Sequence, residues 1–246
     1  METSHILSRD GIRLNGSAAL VADAPVALAI KYVGSSVSAT VTVVSATGIT
    51  LKVGAVGAEA ADTSVDTNGV VEFSTYTTLG AVADAINVSG NWKAEIVDGL
   101  RSDAVNGSQM LARSETTLAP AKTQVLSLFW DTSAHLAISY AISARRTNLN
   151  ATQKGKTSVF KACNSLINTS SGETTLLRVY SVSRDRASST LLFTQVGADN
   201  TDLASTVAAG QGDVRSAVGE DLLVRLSAAN LPDSGAYLNV AGYVLP

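Results

Sequence analysis

The hydrophobic pattern changes period within residues 77–98, TTLGAVADAINVSGNWKAEIVD. In the first half, apolar residues recur at spacings of three and four, which places them on one helix face: Leu79, Val82, Ala83 and Ile86. In the second half, apolar residues alternate with others, as in a half-buried strand: Trp92, Ala94 and Ile96. The segment therefore predicts a short helix at about residues 78–88, with Thr77 or Thr78 as its N-cap, followed by a strand.

A helix this short is marginal by itself. We therefore expect its apolar stripe of Leu79, Val82 and Ile86 to lie on a sheet face, with Trp92 covering the end of the helix. The alternative is a helix that projects from the protein to carry a binding surface, which fits so regular an apolar stripe less well.

The segments before this helix alternate between apolar and polar residues and are rich in β-branched side chains. Turn-forming residues such as Asn68-Gly69 separate them. The predicted strands cover residues 26–33, 38–46, 49–56 and 69–76. Together with the helix and the strand after it, they predict a small β-sheet domain at residues 25–115.

The rest of the chain has a different pattern. Residues 1–24 show few periodic signals and predict an extended N-terminal arm, with a frayed terminus as the alternative. Residues 101–121 have no sustained period and are the candidate linker between two domains. After them, strand-like runs separated by turns predict an antiparallel β-sandwich of jelly-roll topology at residues 116–246. The predicted fold class is thus mainly β, with two domains and one helix.

Composition and charge argue against several classes of partner. A net charge of −3 creates no overall field for nucleic acid or for an anionic membrane, so we expect neither as a partner. No segment approaches the roughly 18 consecutive apolar residues of a membrane helix. The single cysteine, Cys163, cannot form an intramolecular disulfide, and we interpret it as a small buried side chain. A chain without disulfides suits assembly in a reducing cytoplasm.

No pattern of residues predicts a catalytic, cofactor-binding or metal-binding site, so we expect no enzyme activity. His135 lies near Asp131, but no GxSxG nucleophile motif accompanies them. Residues 155–157, Gly-Lys-Thr, end like a phosphate-binding loop, but the glycine that such a loop needs at position 150 is Asn150. Residues 62–69, DTSVDTNG, resemble a calcium loop without its glycine at the sixth position or its closing glutamate.

One basic segment stands out in this acidic protein. Residues 143–161 contain no acidic residue and five cations, namely Arg145, Arg146, Lys154, Lys156 and Lys161. We interpret these cations as a candidate docking patch for an acidic protein surface. Phe160 is the one aromatic side chain in the segment, and this shortage of stacking residues argues against nucleic acid. The alternative interpretation is a solvated loop without a partner.

Two stretches of the first domain resemble a recurring module of tailed-bacteriophage structural proteins. They are VALAIKYVGSSVSATVTVVSATGITLKVG at 26–54 and TYTTLGAVADAINVSGNWKAEIVDGL at 75–100. In that module a β segment leads into a short TLG-x-V-x-x-A-I-N helix, and a strand that ends in DGL follows. The resemblance covers residues 26–103, under a third of the chain, and it consists of packing positions without catalytic residues.

This resemblance implies a virion structural protein that assembles in the host cytoplasm, above all a capsid decoration or cement protein. It implies a homo-oligomer, for example a trimer, that stabilises the shell by contacts with the major capsid protein or other virion proteins. A tail or head–tail joining component is the alternative within the virion. A carbohydrate-binding β-sandwich module or adhesin is the competing interpretation from another class, although glycan sites usually need an exposed platform of aromatic residues.

Overall fold

A computed structural model describes residues 5–6, 25–105, 109–118, 124–131, 137–142, 157–167, 174–198, 203–206, 214–228 and 236–245. Over these residues the chain is mainly β with one helix, which confirms the prediction of a mainly β chain. In chain order the elements are β1 (His5–Ile6), β2 (Val26–Tyr32), β3 (Ser38–Val44), β4 (Gly48–Ala55), β5 (Ala58–Ala61), β6 (Val70–Glu72), α1 (Leu79–Val88), β7 (Trp92–Ile96), β8 (Arg113–Leu118), β9 (Val125–Phe129), β10 (Ala137–Ile142), β11 (Thr157–Ile167), β12 (Thr174–Val182), β13 (Ser189–Ala198), β14 (Leu203–Thr206), β15 (Val214–Arg215), β16 (Asp221–Ala228) and β17 (Ala236–Leu245).

The chain divides into two compact units, each with its own buried core. We call Val26–Asp131 the helix-bearing unit. The sandwich unit comprises β1 and the strands from β10 onward. Since the helix-bearing unit lies between β1 and β10 in the sequence, it is an insertion between the first two strands of the sandwich unit.

The helix-bearing unit contains two antiparallel sheets. One has the strand order β7-β2-β9, and the other has the order β5-β4-β3-β8, with β6 also paired to β4. Every residue of β2 is buried, consistent with its central position between two strands. Apolar side chains from both sheets and from α1 form one continuous core. The helix packs chiefly against β7 and also contacts β2 and β6.

The helix begins at the predicted cap. The Thr78 hydroxyl Oγ1 accepts a hydrogen bond from the backbone N–H of Ala81 at 3.2 Å, which satisfies one of the free N–H groups of the first turn. The predicted stripe of Leu79, Val82 and Ile86 is buried. The stripe therefore faces the core as expected, and the helix does not project from the unit.

Two contacts connect the helix end to β7. The Asn87 side-chain amide donates to the Ala94 carbonyl and accepts from the Ala94 N–H, each at 3.0 Å, as a neighbouring strand would. Between helix and strand, Gly90 has φ +72°, a left-handed conformation that lets the chain reverse. Trp92 is fully buried at the start of β7, in the same core as the helix stripe.

The strands of the sandwich unit pair as a folded ribbon. β1 pairs with β17, β10 with β16, β11 with β14 and β15, and β12 with β13, all antiparallel. The ribbon wraps into two sheets because β11 also pairs with β17 and β12 with β16. The sheet orders are β1-β17-β11-β14 and β10-β16-β12-β13. First-to-last pairing divided over two sheets is the strand order of a jelly roll.

Side chains from both sheets form the core of the sandwich unit. Residues at every second position of a strand face it, as the strand period requires. These residues are Phe160 of β11, Leu177 and Val179 of β12, Leu222, Val224 and Leu226 of β16, and Leu238 of β17. Phe193 of β13 is partly buried and packs beside Phe160, with 6.3 Å between ring centroids.

The unit boundary differs from the predicted domains at 25–115 and 116–246. β8 pairs with β3 and β9 pairs with β2, so residues up to Asp131 belong to the helix-bearing unit. Residues 101–121 therefore contain a strand of this unit and are not a linker between the units. β8, with the sequence RSETTL, has Leu118 as its one large apolar residue, so the sequence shows no strand period there.

The predicted arm at residues 1–24 includes β1. His5 pairs with Val244 and Ile6 with Tyr243 of β17, so this part of the arm belongs to a sheet of the same chain. The remainder of the predicted arm lies outside the described residues.

Candidate functional site

Most of the predicted docking patch lies outside the described residues, namely Arg145, Arg146, Lys154 and Lys156. Lys161 lies within β11, at the position where the register with β17 shifts between Phe160 and Ala162. Such a shift marks a β-bulge, in which one strand has an extra residue. The docking of an acidic partner at these cations stays a prediction.

The loop at residues 62–69 is built around one buried carboxylate. Asp62 is 4% exposed. Its Oδ1 accepts hydrogen bonds from the Ser64 N–H at 3.0 Å and from the Ser64 hydroxyl at 2.6 Å. Its Oδ2 accepts from the Asn91 side-chain amide at 3.1 Å and from the Trp92 indole Nε1–H at 2.9 Å. The carboxylate thus connects this loop to the start of β7.

These hydrogen bonds determine the charge state of Asp62. Burial is the largest single influence and raises the pKa of the Asp62 carboxyl, but donors on Ser64, Trp92 and Asn91 together lower it below its ordinary value. The carboxylate is therefore ionised at neutral pH and accepts four hydrogen bonds from protein groups. This geometry gives the loop a structural role. Among the described residues, no three His, Cys, Asp or Glu side chains are grouped as metal ligands.

Neither tryptophan lies on the surface. Trp92 is fully buried against Tyr32, with ring centroids 5.0 Å apart in an edge-on arrangement. Trp130 is 2% exposed, and its indole N–H donates to the Asp98 carbonyl at 3.1 Å. Neither ring can therefore serve as an exposed platform for a sugar.

A polar cluster at one end of the sandwich unit holds the turn between β12 and β13. Arg186 in that turn has φ +62° and forms a buried ion pair with Asp221, with 3.0 Å between Nη2 and Oδ2. The Arg184 guanidinium Nε donates to the Gly219 carbonyl at 2.9 Å. The Ser181 hydroxyl, just before the turn, accepts from the Ala217 N–H at 2.9 Å. These bonds join two turns at the same end of the sandwich and fix the start of β13.

β13 is an edge strand with an apolar outer surface. Within the described part of the chain it pairs with β12 alone. Leu191 is 52% exposed, Leu192 39% and Val196 60%. A bulge opposite Val179 and Tyr180 adds Leu192 to the strand. This strand therefore combines exposed apolar side chains with a backbone edge, and we call it the β13 edge.

The β13 edge also lacks charge. Its ten residues, STLLFTQVGA, include no ionisable side chain and no proline. Three edge strands of the helix-bearing unit differ: β5 has Glu59, β7 has Lys93 and Glu95, and β8 has Arg113 and Glu115. A fourth, β9, is uncharged like β13, but none of its residues is exposed. Charged residues on an edge discourage pairing with another chain. Among the described strands, the β13 edge combines the absence of charge with exposed leucine and valine side chains, which makes it the best-supported candidate for a protein-contact surface.

The sequence predicts β13 as a strand but not as an edge. The run STLLFTQVG contains the same types of residue as a buried strand, because pairing order depends on strands that are distant in the sequence. The lack of charge over its ten residues does not reveal the position either, because it is compatible with both a buried strand and an edge strand.

Among the described residues, no helix has the length and apolar character needed to cross a membrane.

No protein-family model and no curated protein matches the chain. Two solved structures of infectious bursal disease virus are weakly similar to it. The D431N mutant VP2 protein in derived T=1 particles matches at a TM-score of 0.20 and 9% identity, over 89% of this chain and 53% of that one. The Gt strain structure matches at a TM-score of 0.16 and 10% identity, over 89% of this chain and 54% of that one. The chain spans about half the length of these proteins, and similarity at this level carries no argument about its fold or function.

Proposed function

We propose that this chain is a non-enzymatic structural protein of a virion, specifically a capsid decoration or cement protein of a tailed phage. It acts by assembling with copies of itself and with other virion proteins, and it thereby stabilises the shell. The β13 edge is the observation that carries the proposal, because its exposed apolar side chains and uncharged backbone edge suit contact with protein.

Two further features support a role in assembly. Residues 26–103 resemble the phage structural module described above, and the sandwich unit has the jelly-roll strand order that viral capsid proteins often use. Jelly rolls also occur in lectins and in enzymes, so the fold by itself does not select the function. The buried positions of Trp92 and Trp130 weigh against the lectin alternative.

The test compares shells assembled with and without this protein. Complete shells should keep their contents at higher temperature and through a stronger osmotic shock than shells that lack it, and adding back the purified protein should restore the difference. Electron microscopy of the complemented shells should show density for the protein on the outer surface. Equal resistance of the two kinds of shell would contradict a reinforcing role.

A further inference from the structure

The β13 edge is suited to a partner whose contact surface is also uncharged and apolar. We infer that its partner is a second copy of this chain, and that two copies pair their β13 strands antiparallel about a twofold axis. The two four-stranded sheets of order β10-β16-β12-β13 would then join into one sheet of eight strands. The inference rests on the proposed function in treating the chain as an assembly protein, and it names the first contact of that assembly.

The absence of charge suits a second copy better than it suits an acidic or basic partner. In an antiparallel twofold strand pair, residues near the axis face their own copies, so a charged side chain there would lie close to an identical charge. Like charges facing each other across strands are destabilising. β13 has no ionisable residue from Ser189 to Ala198 and therefore avoids this penalty over its whole length. An acidic or basic partner would find no charge to complement it there.

The side chains support the same conclusion. Pairing between β12 and β13 places Leu191 opposite Tyr180 and Val196 opposite Leu176. Leu191 and Val196 thus lie on the sheet face away from Phe193, which packs on the core. In a twofold pair, Leu191 and Val196 of both copies would together form one continuous apolar strip on that outer face. Such a contact buries apolar area in addition to the new backbone hydrogen bonds.

The turn before β13 presents the strand in a fixed position. The buried ion pair of Arg186 with Asp221 and the hydrogen bond from Arg184 to the Gly219 carbonyl hold this turn. Little conformational entropy is therefore lost when the start of the strand is ordered by a partner, which favours association.

The first experiment measures the mass of the full chain by size exclusion with light scattering. The chain mass is 25.2 kDa, and we expect assemblies with an even number of chains at micromolar concentration. The double variant Leu191→Lys with Val196→Lys should shift the dissociation constant by about tenfold or more towards single chains, because it adds like charges to both strands. The matched control, Val56→Lys with Val88→Lys, adds the same charges at valines that are 76% and 82% exposed on the other unit, and should leave the mass unchanged.

The second experiment locates the axis by oxidative crosslinking. Single cysteine variants at Leu191, Leu192, Thr194 and Val196 are oxidised, with the wild-type chain and its Cys163 as background. An antiparallel twofold pair predicts a covalent dimer at one position or at adjacent positions and none at the far end of the strand. Crosslinking at no position, or equally at all four, would overturn the inference.

The two proposals can fail separately. A wild-type chain that stays single at high concentration, or forms only odd-numbered assemblies such as trimers, overturns the twofold β13 contact even if shells still need the protein. An unchanged self-association of the Leu191→Lys, Val196→Lys variant together with lost shell binding would assign the β13 edge to a capsid partner and overturn the inference. Shells that are equally resistant without the protein contradict the proposed function and leave the mass measurement as an independent result.

Discussion

At the scale of single residues, Asp62 organises the boundary between a loop and a strand. One buried carboxylate accepts hydrogen bonds from Ser64 within its own loop and from Asn91 and Trp92 at the start of β7. Since Trp92 is fully buried, its indole N–H has to find an acceptor inside the protein. Asp62 provides it, so the residue links the polar loop to the apolar core.

Replacing Asp62 should therefore destabilise the helix-bearing unit. We expect Asp62→Asn to lower the free energy of unfolding by about 1–3 kcal/mol at neutral pH, because an amide NH₂ replaces an acceptor facing buried donors. Both tryptophans of the chain, Trp92 and Trp130, lie in this unit, so tryptophan fluorescence during urea unfolding measures it selectively. Asp66→Asn, at a more exposed position in the same loop, is the control.

The difference between wild type and Asp62→Asn should depend on pH. The pKa of Asp62 is lower in the folded protein than in the unfolded chain, where a carboxyl titrates at about 3.9. The unfolded chain therefore binds the proton first, and the contribution of Asp62 is fully present above that pH and is lost as pH falls through the folded pKa. Urea unfolding at a series of pH values should show the two proteins converging in stability on acidification, and a constant difference would contradict this account.

Replacing each of two glycines by alanine separates the cost of steric crowding from the cost of backbone strain. Gly69 and Gly57 both have positive φ, at +65° and +76°. A Cβ at Gly69 would lie 2.8 Å from the Asp62 nitrogen and 2.8 Å from the Leu51 oxygen, whereas a Cβ at Gly57 would meet nothing within 4 Å. We expect Gly57→Ala to cost about 1–2 kcal/mol from the left-handed conformation alone. Gly69→Ala should cost about 1–3 kcal/mol more, and equal losses in urea unfolding would show that the loop relaxes freely.

At the scale of elements, α1 depends on its N-cap and on its packing against β7. Thr78→Ala should lower the free energy of unfolding by about 1 kcal/mol because the Ala81 N–H loses its acceptor. Thr78→Ser retains a hydroxyl and should be close to wild type. Tryptophan fluorescence during urea unfolding measures both variants, and a Thr78→Ala loss no larger than that of Thr78→Ser would mean that packing alone determines where the helix begins.

The sequence predicts elements well where the pattern is local. The helix at 79–88, its Thr78 cap and the strands β2, β3, β4 and β7 are all read from apolar spacing and turn residues. The sequence does not predict β8, because this edge strand has Arg113 and Glu115 and no alternation of apolar residues. The edge position of β13 is not predicted for a different reason: whether a strand lies at the edge of a sheet depends on pairing with strands that are distant in the sequence. The candidate contact surface thus follows from topology that local patterns do not contain.

At the scale of the whole molecule, the helix-bearing unit is an insertion with adjacent ends. Val26 near its start is paired with Phe129 near its end. Paired residues of antiparallel strands lie about 4.5–5.5 Å apart between Cα atoms. The two ends of the insertion are therefore neighbours in space. Residues 26–131 can then fold around their own core, and the sandwich unit needs only a short bridge in their place.

This topology makes a prediction about dissected chains. A fragment of residues 25–131 should fold cooperatively with both tryptophans buried, because the described residues of its core all lie between Ala27 and Trp130. A blue-shifted fluorescence maximum and dispersed amide NMR signals would show this. A second chain, in which a short Gly/Ser linker replaces residues 26–131, should retain β-sheet circular dichroism and a cooperative thermal transition. As a control, a fragment ending at residue 115 removes β9 and leaves one edge of the β2 strand open, so it should unfold or aggregate. Cooperative folding of the 25–115 fragment, with failure of the 25–131 fragment, would restore the boundary predicted from the sequence and contradict the insertion.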